Sequence, residues 1–528
     1  MKHTRRELIV AAGTTAACLS VPYGILGATD RTNATNKDSG DTVPDYRTTK
    51  DLVAALRARQ ISAVELLDHS IARIEAHDKA INAVVVRDFE RARTAAAEAD
   101  QALRRGERRP LLGVPMTVKE AFNIAGLPTT WGVPGTEHSR AIDDAVAIAR
   151  LKAAGAVVLG KTNVPLRLTD WQTYNAVYGV TNNPWHLSRT PGGSSGGGAA
   201  ALAAGYVSLE LGSDIAGSLR VPAAFCGVFA HKPTHGLVPA RGHAPPGTPA
   251  LSVGVEVDLA VVGPMARSAG DLALALDVTA GPDDAEAVGY RLALQPSRHA
   301  DLKSFRVLVI DQHPLLPTSQ VVRSALDTFA DGLRKIGCKV AVTSPMLPDL
   351  DRIGRTFTQL FMAFVGADLP ADTYQILRTA AAALQPTDSS LSDLRLRGSV
   401  LSHADWIKAD RIRTGLAHQW RQFFRQWDVL LCPVMPTPAF VHDHSDINSR
   451  QISIDGKSVP YADQSMWPSI ATLTGLPATV MPIGRSDEGL PIGMQIVGPH
   501  LEDLTTIAFA ELCEREFGGF TAPPLAKN

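Results

Sequence analysis

Two serines in one short stretch are the residues of this chain best placed to do chemistry. The segment Arg189–Pro222 reads RTPGGSSGGGAAALAAGYVSLELGSDIAGSLRVP. It carries Ser194 and Ser218, 24 positions apart, each in its own Gly/Ser loop. Glycine at this density lets backbone N–H groups approach a ligand and permits positive φ. Three chemistries use such loops. A phosphate-binding loop needs Gly-Lys-Ser/Thr after its glycines, and no Lys follows Gly198. Gly192-Gly193-Ser194-Ser195-Gly196 fits the G-x-S-x-G elbow of α/β-hydrolases, but that elbow follows a strand directly. Here Asn183 to Pro191 precede it, with Pro184 and Pro191 inside, and cannot form an interior strand. The third chemistry is that of a serine hydrolase with a lysine as base.

The elements around the two serines must bring them together. Ala199 to Ala204 reads as a helix, ended by Gly205. Tyr206 to Leu211 reads as a buried strand, and Gly212 to Ser218 as a second tight loop closed by Arg220, Val221 and Pro222. Upstream, Leu111 to Val118 is an apolar run read as a strand that ends in Lys119-Glu120. By pattern alone Lys119 is a surface lysine at a strand end. Lys161, after the strand Ala156 to Gly160, looks the same.

Longer motifs separate them. PGGSSGG at Pro191–Gly197, GSDIAGSLRVPA at Gly212–Ala223, His231-Lys232-Pro233-Thr234 and GVPMTVKE at Gly113–Glu120 resemble the amidase signature enzymes. Thr474 to Ala478 and Gly489 to Gln495 match late motifs of the same family, so the resemblance runs from about Tyr46 to Pro524. It implies an α/β fold: a large mixed central β-sheet covered by helices on both faces, in one amidase domain over 46–528. It implies that Ser218 is the nucleophile that forms an acyl-enzyme, Lys119 the base, and Ser194 the bridge between them. The backbone N–H groups of Ile215, Ala216, Gly217 and Ser218 become the oxyanion hole, and the peptide bond before Ser194 becomes cis. Two positions depart from the pattern. Glu120 stands where the family usually has Asp, and Ala216 where many members have Gly, which demands negative φ or tolerated strain.

The same resemblance puts Lys161-Thr162-Asn163-Val164-Pro165 at the border of the substrate pocket. Arg167, Leu168, Asp170 and Trp171 follow as candidate pocket walls; Trp171 reads equally as core, and Arg167 as either a carboxylate binder or an ordinary surface residue. Ser195 is read as shaping its loop, and Asp214 with Arg220 as a structural pair or as donors behind the site. His231 and His235 are read as packing residues, because Lys119 already fills the role of base. The implied activity is hydrolysis of a carboxamide to carboxylate plus ammonia or amine, with no cofactor and no metal. Two alternatives stand beside it: an amidotransferase A-type subunit working in a multi-subunit complex, and a non-catalytic binding protein on the same fold.

The whole chain sets broad bounds. It has 528 residues, 45% hydrophobic and 20% charged, with a net charge of −1. That composition is ordinary for a globular protein and gives no case for nucleic acid as partner. Length alone suggests two to four domains. The expected partner is a small-molecule amide; no stable membrane span is expected, and a homodimer is left open. Five cysteines, at 18, 226, 338, 432 and 513, form no C-x-x-C pair; the last four read as small buried hydrophobes. His442-Asp443-His444 reads as a polar turn more than a metal site. Residues 1–28, with Arg5-Arg6 before a moderate apolar run, look like a Tat-type export signal, and 29–45 like a polar linker. Export to the periplasm or beyond follows if the leader works; the alternative is a basic, disordered terminus and a cytoplasmic protein. Residues 350–427 read as mostly helical and as the variable region that shapes the substrate pocket.

Overall fold

The computed structural model describes residues 45–247 and 257–525. The leader, most of the linker and Cys18 lie outside them. The described chain opens on two capped helices. Thr48 accepts from the Asp51 N–H ahead of Thr49–Arg57. Ser62 and Glu65 form the reciprocal capping box that opens Ala63–Ile81, each bonding the other's backbone N–H, at 2.8 and 3.1 Å.

Fifteen strands follow among the described residues. They are β1 (Val84–Arg87), β2 (Pro115–Lys119), β3 (Val157–Thr162), β4 (Tyr174–Asn175), β5 (Gly179–Val180), β6 (Leu209–Asp214), β7 (Phe229–Lys232) and β8 (Val261–Ala266). The second half adds β9 (Arg306–Val309), β10 (Lys339–Ala341), β11 (Val429–Pro433), β12 (Gln451–Ile454), β13 (Lys457–Pro460), β14 (Ala478–Arg485) and β15 (Pro491–Val497). Eleven of them form one sheet in the order β1-β3-β2-β6-β8-β7-β14-β15-β11-β9-β10. It is mixed. β3, β2 and β6 run parallel, as do β11, β9 and β10, and antiparallel pairs join the two groups.

Strand alternation sends side chains to two cores. Val157 and Leu159 enter one, with the helices Ala63–Ile81, Phe89–Arg104, Gly196–Ala203 and Arg220–Cys226. Val158 packs against the other, with Val146–Ala153, Ala269–Thr279, Gln320–Lys335 and Asp503–Phe517. Helices therefore cover both faces, as expected. A third core collects Leu350–Gly366, Leu391–Gly398, His403–Gln426 and Met466–Thr472. No helix among the described residues is long and apolar enough to cross a membrane.

Two boundaries differ from the sequence reading. β2 begins only at Pro115, because Gly113 takes φ +83° and the residues before it turn. The strand read at Tyr206–Leu211 lies at Leu209–Asp214 instead. Gly205, at φ +76°, ends the preceding helix, and the Tyr206 N–H caps it by donating to Ala201 O. Gly212, Ser213 and Asp214 are therefore the end of a strand, not part of a loop. Met466–Thr472 forms a short helix before β14. Cys226, Cys338, Cys432 and Cys513 are buried and free, as read.

Candidate active site

The parallel strands β2, β3 and β6 end together, with Lys119 opposite Thr162 and Asp214 at the tip of β6. Crevices beyond the carboxyl ends of parallel strands are where ligands bind in such sheets. Lys119 is fully buried there. Its Nζ lies 2.7 Å from Ser194 Oγ and 3.0 Å from Ser213 Oγ. Burial pushes the ammonium down to about 7, against the opposing pull of Asp214 and Glu210. Lys161, the other strand-end lysine, is also buried but is tied to Pro128 O and Thr129 Oγ1. The two lysines are told apart by their partners, not by exposure.

Ser194 follows a cis peptide bond from Gly193. Ser195 stitches the two serine loops together. Its N–H donates to Ser218 O at 3.1 Å, and its Oγ donates to Ser213 O at 3.3 Å. Ser194 and Ser218 are thus brought to one place by a residue that shapes the loops. The helix that follows is packed too tightly for side chains at its start. An added Cβ would lie 2.2 Å from Thr173 Oγ1 at Gly196, 2.4 Å from Asn163 N at Gly197 and 2.6 Å from the Glu210 carboxyl at Gly198.

Asp214 organises the turn Ile215–Ser218. Its carboxylate accepts from the N–H groups of Gly217, Leu219 and Arg220, at 2.8, 3.1 and 3.4 Å. The Arg220 guanidinium holds both carboxylate oxygens at 3.0 Å and also bonds Pro468 O, Gln495 Oε1 and Thr472 Oγ1. Burial opposes ionisation of Asp214, but Arg220 outweighs it and holds the carboxyl at about 2. This is the structural pair read from sequence. It also changes the donor set of the turn. Gly217 N–H is spent on Asp214, whereas the N–H groups of Ile215, Ala216 and Ser218 have no hydrogen-bond partner among the described residues. Ala216 keeps a negative φ, so its methyl brings no left-handed strain, and Gly217 takes φ +100°.

The pocket-wall residues divide. Trp171 is half-buried, and its Nε1 donates to Ala216 O at 2.8 Å, so it braces the turn directly. Arg167 is exposed and Leu168 half-buried, with φ of 52° and 63°, and no hydrogen bond joins either side chain to this cluster. The Arg167 N–H donates to Trp131 O, and the Trp131 and Thr130 N–H groups donate to the Glu120 carboxylate at 2.9 and 2.6 Å. Glu120 therefore anchors the loop that borders the site.

Sequence reasoning missed Ser213, which it read as part of a loop, and the support behind Trp171. Asp170 accepts from Tyr461 OH at 2.7 Å and from Arg450 at 2.8 Å, and no spacing pattern links positions that far apart in the chain. His231 is buried between Thr479 Oγ1 at 2.9 Å and Asp503 at 3.0 Å, and His235 Nε2 lies 3.3 Å from Val257 O. Neither is bonded to a site serine. His442 meets Asn182, His444 stacks on Tyr174 at 3.9 Å, and the Asp443 N–H donates to Gln172. No group of side chains among the described residues is arranged to hold a metal.

A neutralised lysine behind serines, facing a turn with free N–H groups, suits acyl transfer to a hydroxyl, the work of a serine hydrolase. Comparison with known proteins narrows the class. The family model described as Amidase matches residues 65–507. The A-type subunit of the glutamyl-tRNA(Gln) amidotransferase of Roseiflexus castenholzii is 33% identical over 506 residues, covering 91% of this chain and 98% of the relative. AmiB2 of Mycobacterium tuberculosis, which bears an amidase name, is 35% identical over 478 residues, covering 87% of this chain and 95% of its own. The solved structure of 6-aminohexanoate cyclic dimer hydrolase with its substrate superposes with a TM-score of 0.71 at 26% identity, covering 91% of this chain and 99% of that one. The chain belongs to the amidase family.

Proposed function

We propose that the protein hydrolyses a small or medium carboxamide or anilide through an acyl-enzyme on Ser218. The observation that carries this reading is the buried Lys119 Nζ at 2.7 Å from Ser194 Oγ. A lysine is a base only as the free amine, and burial brings its amine within reach of neutral pH. Lys119 takes the Ser194 proton, and Ser194 takes that of Ser218 as Ser218 Oγ attacks the substrate carbonyl. The oxyanion forms against the free N–H groups of Ile215, Ala216 and Ser218. Ser194 then returns the proton to the leaving nitrogen, which departs poorly unless protonated. Water cleaves the acyl-enzyme by the same relay in reverse.

Activity should follow the free amine. With Lys119 lowered to about 7, kcat/KM is expected to rise with pH, by about tenfold per unit below 7, and to level off above 8. Initial rates on a chromogenic anilide between pH 5.5 and 9 read this directly; a rate that falls over that range contradicts a lysine base. The decisive test of the roles is fluorophosphonate labelling with peptide mapping. Ser218 should label, and Lys119→Ala should lose the label. Labelling at Ser194, or undiminished labelling in Lys119→Ala, overturns the assignment.

One observation favours a second reading: a relative at 33% identity bears the name of an amidotransferase component. In such a role the chain would release ammonia to a partner rather than to water. Hydrolysis by the purified chain alone separates the two.

A further inference from the structure

A cavity lies at the edge of the sheet opposite to Lys119 and the two serines. β6 and β7 both run antiparallel to β8, so Asp214 and Lys232 end at the same edge. β14 starts there, with Ala478 opposite Lys232, and runs across to Arg485 at the other edge. About 230 Å³ of space opens beside Arg485. Its walls are apolar: Trp185, Phe329, Pro482, Ile483, Pro491 and Phe517. Phe329 and Phe517 meet edge to face at 5.1 Å. Gly227 closes the floor, where an added Cβ would lie 3.0 Å from Pro491 and 3.6 Å from Trp185. Gly484 and Gly518 line the same space, and a Cβ on either would meet nothing within 4 Å. The cavity opens to solvent where Gly484, Arg485 and Phe517 are exposed.

Arg485 is the one charged side chain on this lining among the described residues. Its guanidinium carbon lies over the Trp185 ring, 5.7 Å from the centre. It makes no ion pair or hydrogen bond among the described residues, and Glu488, the acid three positions further along the same hairpin, is held by Arg189. A guanidinium laid on an aromatic ring is attracted through its face and keeps its N–H edge for another partner. That edge matches a carboxylate, with two parallel hydrogen bonds. Apolar walls with one convergent charge are the usual make-up of a small-molecule site, and this volume suits a single ring rather than a drug-sized molecule.

We propose that this cavity is a second ligand site, which binds a small organic carboxylate bearing one apolar ring. The carboxylate pairs with Arg485, and the ring lies among Pro482, Ile483 and Phe517. Binding here does not depend on the roles of Lys119, Ser194 and Ser218. The back wall carries its own reporter, because Trp185 Nε1 donates to Cys226 O at 2.9 Å and its backbone N–H to Asn183 Oδ1 at 3.0 Å, which fixes the indole in place.

Benzoate is the probe. Calorimetric titration of wild type should give a Kd on the order of 1 mM or tighter. The Trp185 indole N–H resonance, assigned by its loss in Trp185→Phe, should shift as benzoate binds. Arg485→Gln should weaken benzoate by about tenfold and leave benzyl alcohol, an uncharged probe of similar shape, unchanged. Gly484→Leu should abolish binding of both, since it puts a side chain into the open space at a position without left-handed φ. Both positions are exposed, so both variants should fold, which thermal melting checks. If Gly484→Leu does not fold, Arg485→Gln and the Trp185 resonance decide alone. No binding up to about 10 mM benzoate overturns the proposal, and so does equal affinity in wild type and Arg485→Gln. Binding that survives in folded Gly484→Leu, or that leaves the Trp185 resonance in place, is binding elsewhere, the serine site included, and overturns it as well.

Discussion

Ser218→Ala is expected to lower amide hydrolysis by about 10⁵- to 10⁶-fold while leaving the protein folded. The size follows from the chemistry. On the proposed mechanism, no acyl-enzyme forms without the Ser218 oxygen, and Lys119 and Ser194 have no nucleophile to deprotonate. What survives is whatever the free N–H groups of the turn do for direct attack by water. The fold should hold because the change deletes one atom from a residue at the mouth of the site, 6% exposed, whose backbone carbonyl still accepts from the Ser195 N–H. Turnover of an anilide, circular dichroism and thermal melting on the same sample check both halves. Retained turnover, or loss of turnover together with loss of fold, contradicts the role given to Ser218. Ser195→Ala is the useful companion, since Ser195 joins the loops chiefly through its backbone and should lose far less.

The second large effect is on stability. Arg220→Met is expected to cost about 3–5 kcal/mol, the usual penalty for removing one partner of a buried ion pair. Arg220 and Asp214 are both wholly buried, and the guanidinium also holds Pro468, Gln495 and Thr472. Methionine fills much of the volume but leaves the Asp214 charge unpaired. Asp214→Asn in the same chain removes that charge and should recover part of the loss, which equilibrium urea unfolding can measure. No recovery would mean that packing rather than charge dominates. The pH dependence carries a definite sign. The Asp214 carboxyl is held at about 2, below its ordinary value of 3.8, so the pair's contribution is complete at neutral pH. It is lost as pH falls from about 4 through about 2. The gap between wild type and Arg220→Met should narrow over that window. Activity should fall as well, because Asp214 fixes the Gly217 and Leu219 N–H groups that frame the turn proposed to bind the oxyanion.

The sequence carried the site further than it carried the strands. Lys119, Ser194 and Ser218 stand out in the sequence because the motif around each is long and gapless, and folding places Lys119 Nζ 2.7 Å from Ser194 Oγ. The limits of β6 were not legible. Leu209 to Asp214 includes Gly212 and Ser213, which read as loop in one dimension, yet pairing with β8 from Leu209–Ala266 to Asp214–Val261 makes them strand. Four donors were counted in the turn because every residue there has an N–H. Which N–H a nearby carboxylate takes depends on where Asp214 points, and sequence does not encode that direction visibly. Arg450 and Tyr461 were invisible for another reason: their bonds to Asp170 cross about half the chain and follow no period. The reading of Glu210 as one residue of a buried strand was correct but incomplete, since only the sheet register shows what lies beside it.

The glycines at the start of the Gly196–Ala203 helix have a consequence for which variants of this protein can exist. Thr173, Asn163 and Glu210 already occupy the space that a side chain at Gly196, Gly197 or Gly198 would need. Selection on these positions is therefore selection on shape, separate from selection on reactivity at Ser194 and Ser218. In a saturation library, substitutions at the three glycines should be depleted as strongly as those at the two serines, but by a different route. The serine variants should accumulate as inert, soluble protein, and the glycine variants should be cleared as protein that never reaches its folded form.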